Sequence, residues 1–462
     1  MIRTAWLLIA IAGLSMTGCA ASPVMRPPHE AVPGEGPAKP PPLPPEAQSK
    51  YDRALREMAQ RDEAGSWSDE ACAATAKLFL EAAEASGQAI PRYNAGLALL
   101  RCKKSAEAKG HFARALEIDK KLTGARVKLT LIGIEERGDK GLDAAIEELR
   151  RATVEARFSD PGALTALAML ELRRGSPATD SDGNNDFERA KRNIQRALAL
   201  DDSYMPAYNQ LALYYLALAK QRAPSPSPSS GKRVNENALE LGALVCSQAI
   251  RKDPRSAPIH NTAGLISIEL GNMSAAAASF AQARALDPSL FEAHMNFASV
   301  NMRFRGFENA EEAYRAAIRL RPGDYDARVG LALALRAQVG APGDAKAIEA
   351  SRELEAARKI DPDRPEAYYN EAVLTQEYGQ EDAKDPDGSL KKASALFATF
   401  IEKAKVARGG PNEGYQESVE RAKGRIADIN QILIFRKQTA EEQRRSEEAM
   451  KQRQAEEAVQ QD

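Results

Sequence analysis

The sequence predicts an all-α protein built as a repeat array, and three observations predict it. Charged residues make up 28% of the chain and aromatics only 6%, a balance that favours helices. Asp253-Pro254, Asp287-Pro288 and Arg321-Pro322 recur 34 residues apart, and Asp361-Pro362 follows 40 further on. Before the last three of these dipeptides the same frame returns: Ala276/Phe280/Ala283, Ala310/Tyr314/Ala317 and Ala350/Leu354/Ala357. Each trio is spaced i, i+4, i+7, so its members share one helix face. The proline that follows stops that helix. An earlier small residue accompanies each trio, at Gly264, Ala298 and Ala332. Small residues let two antiparallel helices cross closely, and the large one fills the gap between units.

The chain opens with a different kind of segment. Met1–Gly18 has a basic start at Arg3, an apolar run from Ala5 to Leu14 and then small residues. The run is too short to span a bilayer as a helix and fits a signal-peptide core. Met16-Thr17-Gly18-Cys19 resembles the lipobox of bacterial lipoproteins. The resemblance implies cleavage before Cys19, acylation of its thiol and amine (diacylglycerol and palmitate-type chains), and stable membrane anchoring. Met16 stands where Leu is usual. Ala20 and Ala21 carry no acidic sorting residue, which in this family points to the outer membrane, facing the periplasm.

Residues 19–46 follow as a linker. Ten of the 26 prolines fall between Ala20 and Glu46. Such a stretch neither forms a helix nor pairs in a sheet, and it reads as an extended polyproline spacer.

The repeat array then covers residues 47–405. Its 34-residue period, with small residues at positions 8, 20 and 27, a large one at 24 and Pro at 32, resembles the tetratricopeptide repeat (TPR). The resemblance implies helix–turn–helix units stacked as a right-handed α-solenoid with a concave binding face. The first unit takes Ala47–Arg61 as its first helix and Thr75/Phe79/Ala82 in its second. Then come Gly96/Ala108/Phe112/Ala115, Gly133/Ala145/Leu149/Ala152 and Ala168/Ala190/Ile194/Ala197, the last with a polar insertion at Ser176–Asp186. Ala212/Gly242/Cys246/Ala249 carries an insertion near Lys220–Asn237, and Ala372/Ala393/Phe397 one at Gln380–Gly388. With the three trios above, the total is eight to nine units. A solenoid needs an end cap. Residues 406–437 supply one, with Val419, Ala422, Ile426, Ile429 and Leu433 at helical spacing and Ile432, Ile434 and Phe435 thickening the stripe. Residues 438–462 are rich in Glu, Gln, Arg and Lys, and read as either a solvated helix or a disordered tail.

Composition also excludes classes. The formal net charge is −1, which argues against nucleic acid as the main partner. Four Cys in 462 residues exclude a disulfide-built fold. Gly231-Lys232 is followed by Arg and lacks the earlier Gly of a phosphate loop, so Pro224–Lys232 reads as a flexible loop. His260 and His294 fall at the fourth position of adjacent units without further ligands, so no metal is expected. Cys246 occupies a buried slot as a small hydrophobe. Cys72 and Cys102, at positions 17 and 14 of successive units, are a candidate disulfide in an oxidising compartment, subject to their Cα separation.

In the TPR family the concave face is lined by positions 2, 5, 9, 12 and 13 of each first helix, with position 6 assisting. Carried onto this sequence, these places give Tyr93, Asn94, Leu97, Arg101, Asn209, Asn261, Leu265, Asn296, Arg303, Tyr369 and Asn370 as a peptide groove. Asn side chains suit a peptide backbone because they donate and accept together. The layout is also similar to the repeat lipoproteins of myxobacterial gliding motility. It implies a non-enzymatic scaffold with no cofactor and no small-molecule substrate, whose partners are proteins of an envelope complex. Two alternatives stay open: an assembly factor for outer-membrane proteins or secretins, and a cell-wall enzyme or its activator. No catalytic constellation supports the latter.

Overall fold

The computed structural model describes residues 42–179, 183–220, 228–379, 385, 387–406 and 415–459. The signal segment, Cys19 and the linker up to residue 41 lie outside the described residues, as do residues 221–227 of the insertion after Lys220.

The described chain falls into two compact units. The first, ending at Ala293, holds α1 (Pro45–Ala64), α2 (Asp69–Ser86), α3 (Ala89–Leu100), α4 (Ser105–Ile118), α5 (Thr123–Arg137), α6 (Leu142–Glu155), α7 (Pro161–Arg174), α8 (Asp186–Leu200), α9 (Met205–Lys220), α10 (Pro228–Lys252), α11 (Ala257–Glu269) and α12 (Met273–Leu286). Consecutive helices pack against each other throughout. The second unit, from His294, takes up α13 (Phe291–Arg303) and continues with α14 (Phe307–Leu320), α15 (Tyr325–Arg336), α16 (Ala345–Ile360), α17 (Glu366–Tyr378), α18 (Gly388–Val406) and α19 (Gln416–Val459).

The repeat frame is the core of both units. Every second-helix frame residue named above, from Thr75, Phe79 and Ala82 to Ala393 and Phe397, is buried. The large residue at position 24 does more than separate units. A β-carbon built on Gly96 would stand 2.6 Å from the Phe112 ring, and one on Gly264 would stand 2.5 Å from the Phe280 ring. In these units the ring lies on the bare backbone of its own first helix, so glycine there is a packing requirement. Tyr314 instead covers Gly330, on the first helix that follows.

The Asp of the recurring dipeptide has its own task. Asp253, Asp287 and Asp361 each follow the last turn of a second helix. Each accepts, on its carboxylate, the backbone N–H two residues on, at 3.0, 2.9 and 3.1 Å. Asp119 and Asp201 do the same without a following proline, both at 2.9 Å. This Asx turn, with the proline where present, ends one helix and aims the next. Asp287→Ala is expected to cost about 1 kcal/mol, by loss of the turn hydrogen bonds from the Ser289 amide and its exposed hydroxyl, measurable by denaturant unfolding.

Three expectations need correction. Helix α1 starts at Pro45, inside the span assigned to the linker, because a proline at the first helical position gives up no hydrogen bond. Helix α10 starts at Pro228 for the same reason, so the second half of the Lys220–Asn237 insertion is helical and Pro224–Lys232 is not loop throughout. The boundary at 437/438 is also absent, since α19 runs unbroken through cap and tail.

The cap itself forms from the start of α19. Val419, Ala422, Ile426, Ile429 and Leu433 pack on Phe397 and Phe400. Polar contacts pin the same stretch: Tyr415 donates to Glu366 at 2.7 Å, and Arg425 donates to Gln376 at 2.7 Å. Ile432, Ile434 and Phe435, expected to thicken this stripe, are instead exposed.

Candidate functional site

The eleven groove positions separate into buried struts and open residues. Tyr93, Asn94 and Leu97 are buried in α3, and Asn209 in α9, so these four are not offered to a ligand. The reason is packing from both sides. Tyr93 stacks on Phe112 with ring centres 5.5 Å apart. The Asn94 amide donates to the Tyr51 hydroxyl of the preceding unit at 2.7 Å. The Asn209 amide oxygen accepts from the Thr262 hydroxyl at 2.7 Å, tying α9 to α11. Arg101 is committed as well: its guanidinium holds Asp62 at 2.9 and 3.2 Å, and the Trp67 indole donates to the same carboxylate. Position 5 in α9 and position 6 in α3 therefore serve as inter-unit hydrogen bonds here.

Asn261, Leu265, Asn296, Tyr369 and Asn370 remain half-buried and Arg303 is exposed. Tyr369 leans on Phe397 and Phe400 at 5.7 and 5.0 Å. The Asn370 amide is turned back to the Glu366 carbonyl at 2.8 Å.

Within the first unit, α9 and α11 give the best-formed candidate surface. They pack directly against each other, and at equivalent register positions they carry Asn209 and Leu213 on one and Asn261 and Leu265 on the other, with Gln210 and Ile268 beside them in sequence. Leu213, Asn261, Leu265 and Ile268 are half-buried, which gives apolar area edged by amides. Gln210, not singled out from sequence, is buried and its amide oxygen has no donor. It is enclosed as closely as Asn209 and is not offered to a ligand. Lys220 and Glu269 pair at 3.0 Å towards the C-terminal ends of the two helices. The sequence signal for Gln210 was its place beside Asn209 at position 6.

A second polar cluster was missed altogether. Glu171 sits in the apolar run Leu164–Leu172 of α7 and is buried. Asn193 of α8 donates to it at 3.0 Å, and Arg150 of α6 and Arg189 of α8 stand at 3.5 and 3.7 Å. Nearby Asp186 is held by Arg174, Arg189 and the Ser176 amide. Burial pushes the Glu171 carboxyl up to about 7 from 4.5, outweighing its two arginines. Asp186, also desolvated, is drawn down to about 2 by its arginines and hydrogen bonds. The cluster is a structural joint, because each acid is enclosed by partners. Its pH signature follows from the sign. The native chain keeps the Glu171 proton up to about pH 7 while the unfolded chain releases it near 4.5, so stability at this joint falls as pH rises through that window. Glu171→Gln is expected to raise the melting temperature near pH 8 and to leave it unchanged near pH 4.5, as read by thermal scans at both values.

The remaining candidates are quickly placed. Cys246 is buried and unpaired, and burial pushes its thiol up to about 12, so it is no nucleophile at neutral pH. His260 bonds the Pro254 carbonyl at 2.9 Å, and His294 is buried. Among the described residues no group of three His, Cys, Asp or Glu is placed to hold a metal ion, and no helix is long and apolar enough to cross a membrane. Cys72 and Cys102 stand with Cα atoms 6.3 Å apart and sulfurs at bonding distance.

Paired antiparallel helices, a 34-residue frame with every frame residue buried, and an Asp-capped turn between units define the class. The fold is that of a tetratricopeptide-repeat (TPR) solenoid. It is similar to a thermophilic TPR protein of Thermus thermophilus, at 30% identity over 44% of this chain and 95% of that one, with a TM-score of 0.37. It is also similar to YrrB, described as a TPR protein with an unusual peptide-binding site, at 17% identity over 46% and 93% of the two chains, TM-score 0.35. MamA of Desulfovibrio magneticus is similar at 15% identity over 43% and 97%, TM-score 0.33. No protein-family model matches the chain, and no curated protein is similar to it in sequence.

Proposed function

We propose that the protein is an exported scaffold, anchored through lipidated Cys19 in the outer membrane and facing the periplasm, that organises an envelope-spanning complex by holding partner segments against its first helices. The observation that carries the binding reading is the α9–α11 surface. There, half-buried Leu213, Asn261, Leu265 and Ile268 lie on two helices that pack directly together. Apolar area with a few fixed amides is what an extended or helical peptide segment needs. The approach of Cys72 and Cys102 supports export, since such a pair persists as a disulfide only in an oxidising compartment. The lipobox, the proline tether and the long divergent array together favour a machine of the gliding-motility kind over a smaller assembly factor. Crosslinking in intact cells followed by purification of the lipidated protein tests this. Recovery of a motility or polysaccharide-export complex supports the scaffold. Recovery of secretin or barrel-assembly subunits contradicts it in favour of an assembly factor. Release of the protein from membranes by high salt alone contradicts the lipid anchor.

A further inference from the structure

Arg336 is the last residue of first helix α15. Ala332 holds position 8 of that unit, so Arg336 stands at position 12. Its side chain is half-buried, and burial pushes its guanidinium below the ordinary arginine value. Arginine keeps its proton regardless, so the result is a poorly solvated cation. Elsewhere in the second unit such cations are matched. Arg315, Arg328, Arg358 and Arg364 hold Glu349, Glu353, Glu371 and Asp326 at 2.6, 2.6, 2.8 and 2.7 Å. Arg336 has no hydrogen bond and no ion pair among the described residues. The helix C-terminus favours a cation there but supplies no carboxylate.

Its charged and polar neighbours are Glu377, Arg425, Tyr369 and Tyr378. Helix α17 carries Glu377 and both tyrosines and packs directly on α15. The acid is already engaged: Arg425 of α19 holds Glu377 at 3.2 Å and donates to Gln376 at 2.7 Å. Were Glu377 to swing to Arg336, Arg425 would lose its carboxylate instead. Two guanidiniums thus share one carboxylate, and the spot carries an excess positive charge. That excess identifies the chemistry of an occupant. A guanidinium takes a carboxylate through two parallel N–H···O bonds, and tyrosine hydroxyls can donate to the same oxygens. An apolar segment would leave the charge unmatched, and a basic one would be repelled.

We propose that Arg336, with Tyr369 and Tyr378, receives a carboxylate of an acidic partner segment on the first helices of the second unit. The proposal rests on the reading that first helices hold partner segments, but it uses a different surface from α9 and α11.

Fluorescence anisotropy of a labelled tetraglutamate peptide, amidated at its C-terminus, on the full-length chain tests it. The peptide is expected to bind, and a tetraglutamine control is expected not to. Arg336→Gln should weaken binding by about tenfold or more, the scale of one lost charge-assisted hydrogen bond. Arg352→Gln, at an exposed arginine of second helix α16, should leave it unchanged. Tighter binding of the free-acid peptide would assign the site to a terminal carboxylate, and equal binding to a side-chain one. Because Arg336 has no carboxylate of its own, R336Q is expected to keep the melting temperature or raise it slightly. Equal binding of the two peptides, undiminished binding by R336Q, or the same loss from R352Q would overturn the proposal. So would a lowered melting temperature of R336Q, which would reveal a partner within the chain. Each of these results leaves the α9–α11 reading standing, because those helices lie in the other unit.

Discussion

Phe280→Ala is expected to destabilise the first unit by about 3–5 kcal/mol, the usual cost of removing a fully buried ring. The ring is wholly buried and lies on the bare backbone of Gly264. Deleting it leaves a void that α11 and α12 cannot close without shifting the crossing. The partner substitution makes the test specific. Gly264→Ala alone would force a methyl against the ring and cost about 1–3 kcal/mol by overpacking. In the Phe280→Ala background the same methyl enters vacated space, so the double variant should be no less stable than Phe280→Ala alone. Denaturant unfolding of the four chains gives this coupling. Simple additivity would show that ring and glycine are not one packing unit.

The second large effect concerns Cys72 and Cys102. They are 30 residues apart in sequence, and in the chain-entropy view a link of that span stabilises by about 3–4 kcal/mol. The pairing joins the start of α2 to the turn after α3, in the part of the array nearest the tether. Cys72→Ser with Cys102→Ser should therefore lower the melting temperature under oxidising conditions and have little effect in reductant. Mass measurement after alkylation reads the pairing directly. Two alkylated thiols at 72 and 102 in protein taken from the envelope would refute the disulfide and remove one support for export.

Much of the fold was legible because the frame residues carry their own reasons. Ala at 20 and 27 and a bulky residue at 24 are dictated by helix crossing, so a period in sequence is a period in space. Elements without such constraint were read less well. Pro45 and Pro228 were taken as breakers when each begins a helix, since a proline's local preference is the same at a helix start and in a linker. The exposed state of Ile434 and Phe435 was hidden for a related reason. A helical stripe shows that a face is apolar, and only the geometry of α17 and α18 shows how wide a face they cover. Among the groove residues, position 5 leaves Asn261 half-buried but encloses Tyr93 and Asn209. There α4 of the same unit supplies Phe112 and α11 of the next unit supplies Thr262, and nothing local to either residue records that. Glu171 was missed because an acid in an apolar run has no signature of its own until Arg150, Arg189 and Asn193 come together around it.

The central claim is that the first-helix surface of α9 and α11 receives a partner segment. A photocrosslinking residue at Leu265, half-buried on that surface, compared with one at Gln282, exposed on second helix α12, tests it most directly in intact cells. The account predicts a discrete protein adduct from 265 that is absent from 282, and that is lost when Leu213 and Asn261 are both replaced by Ala in a chain that still folds. No adduct at 265, or the same adducts from both positions, would contradict it.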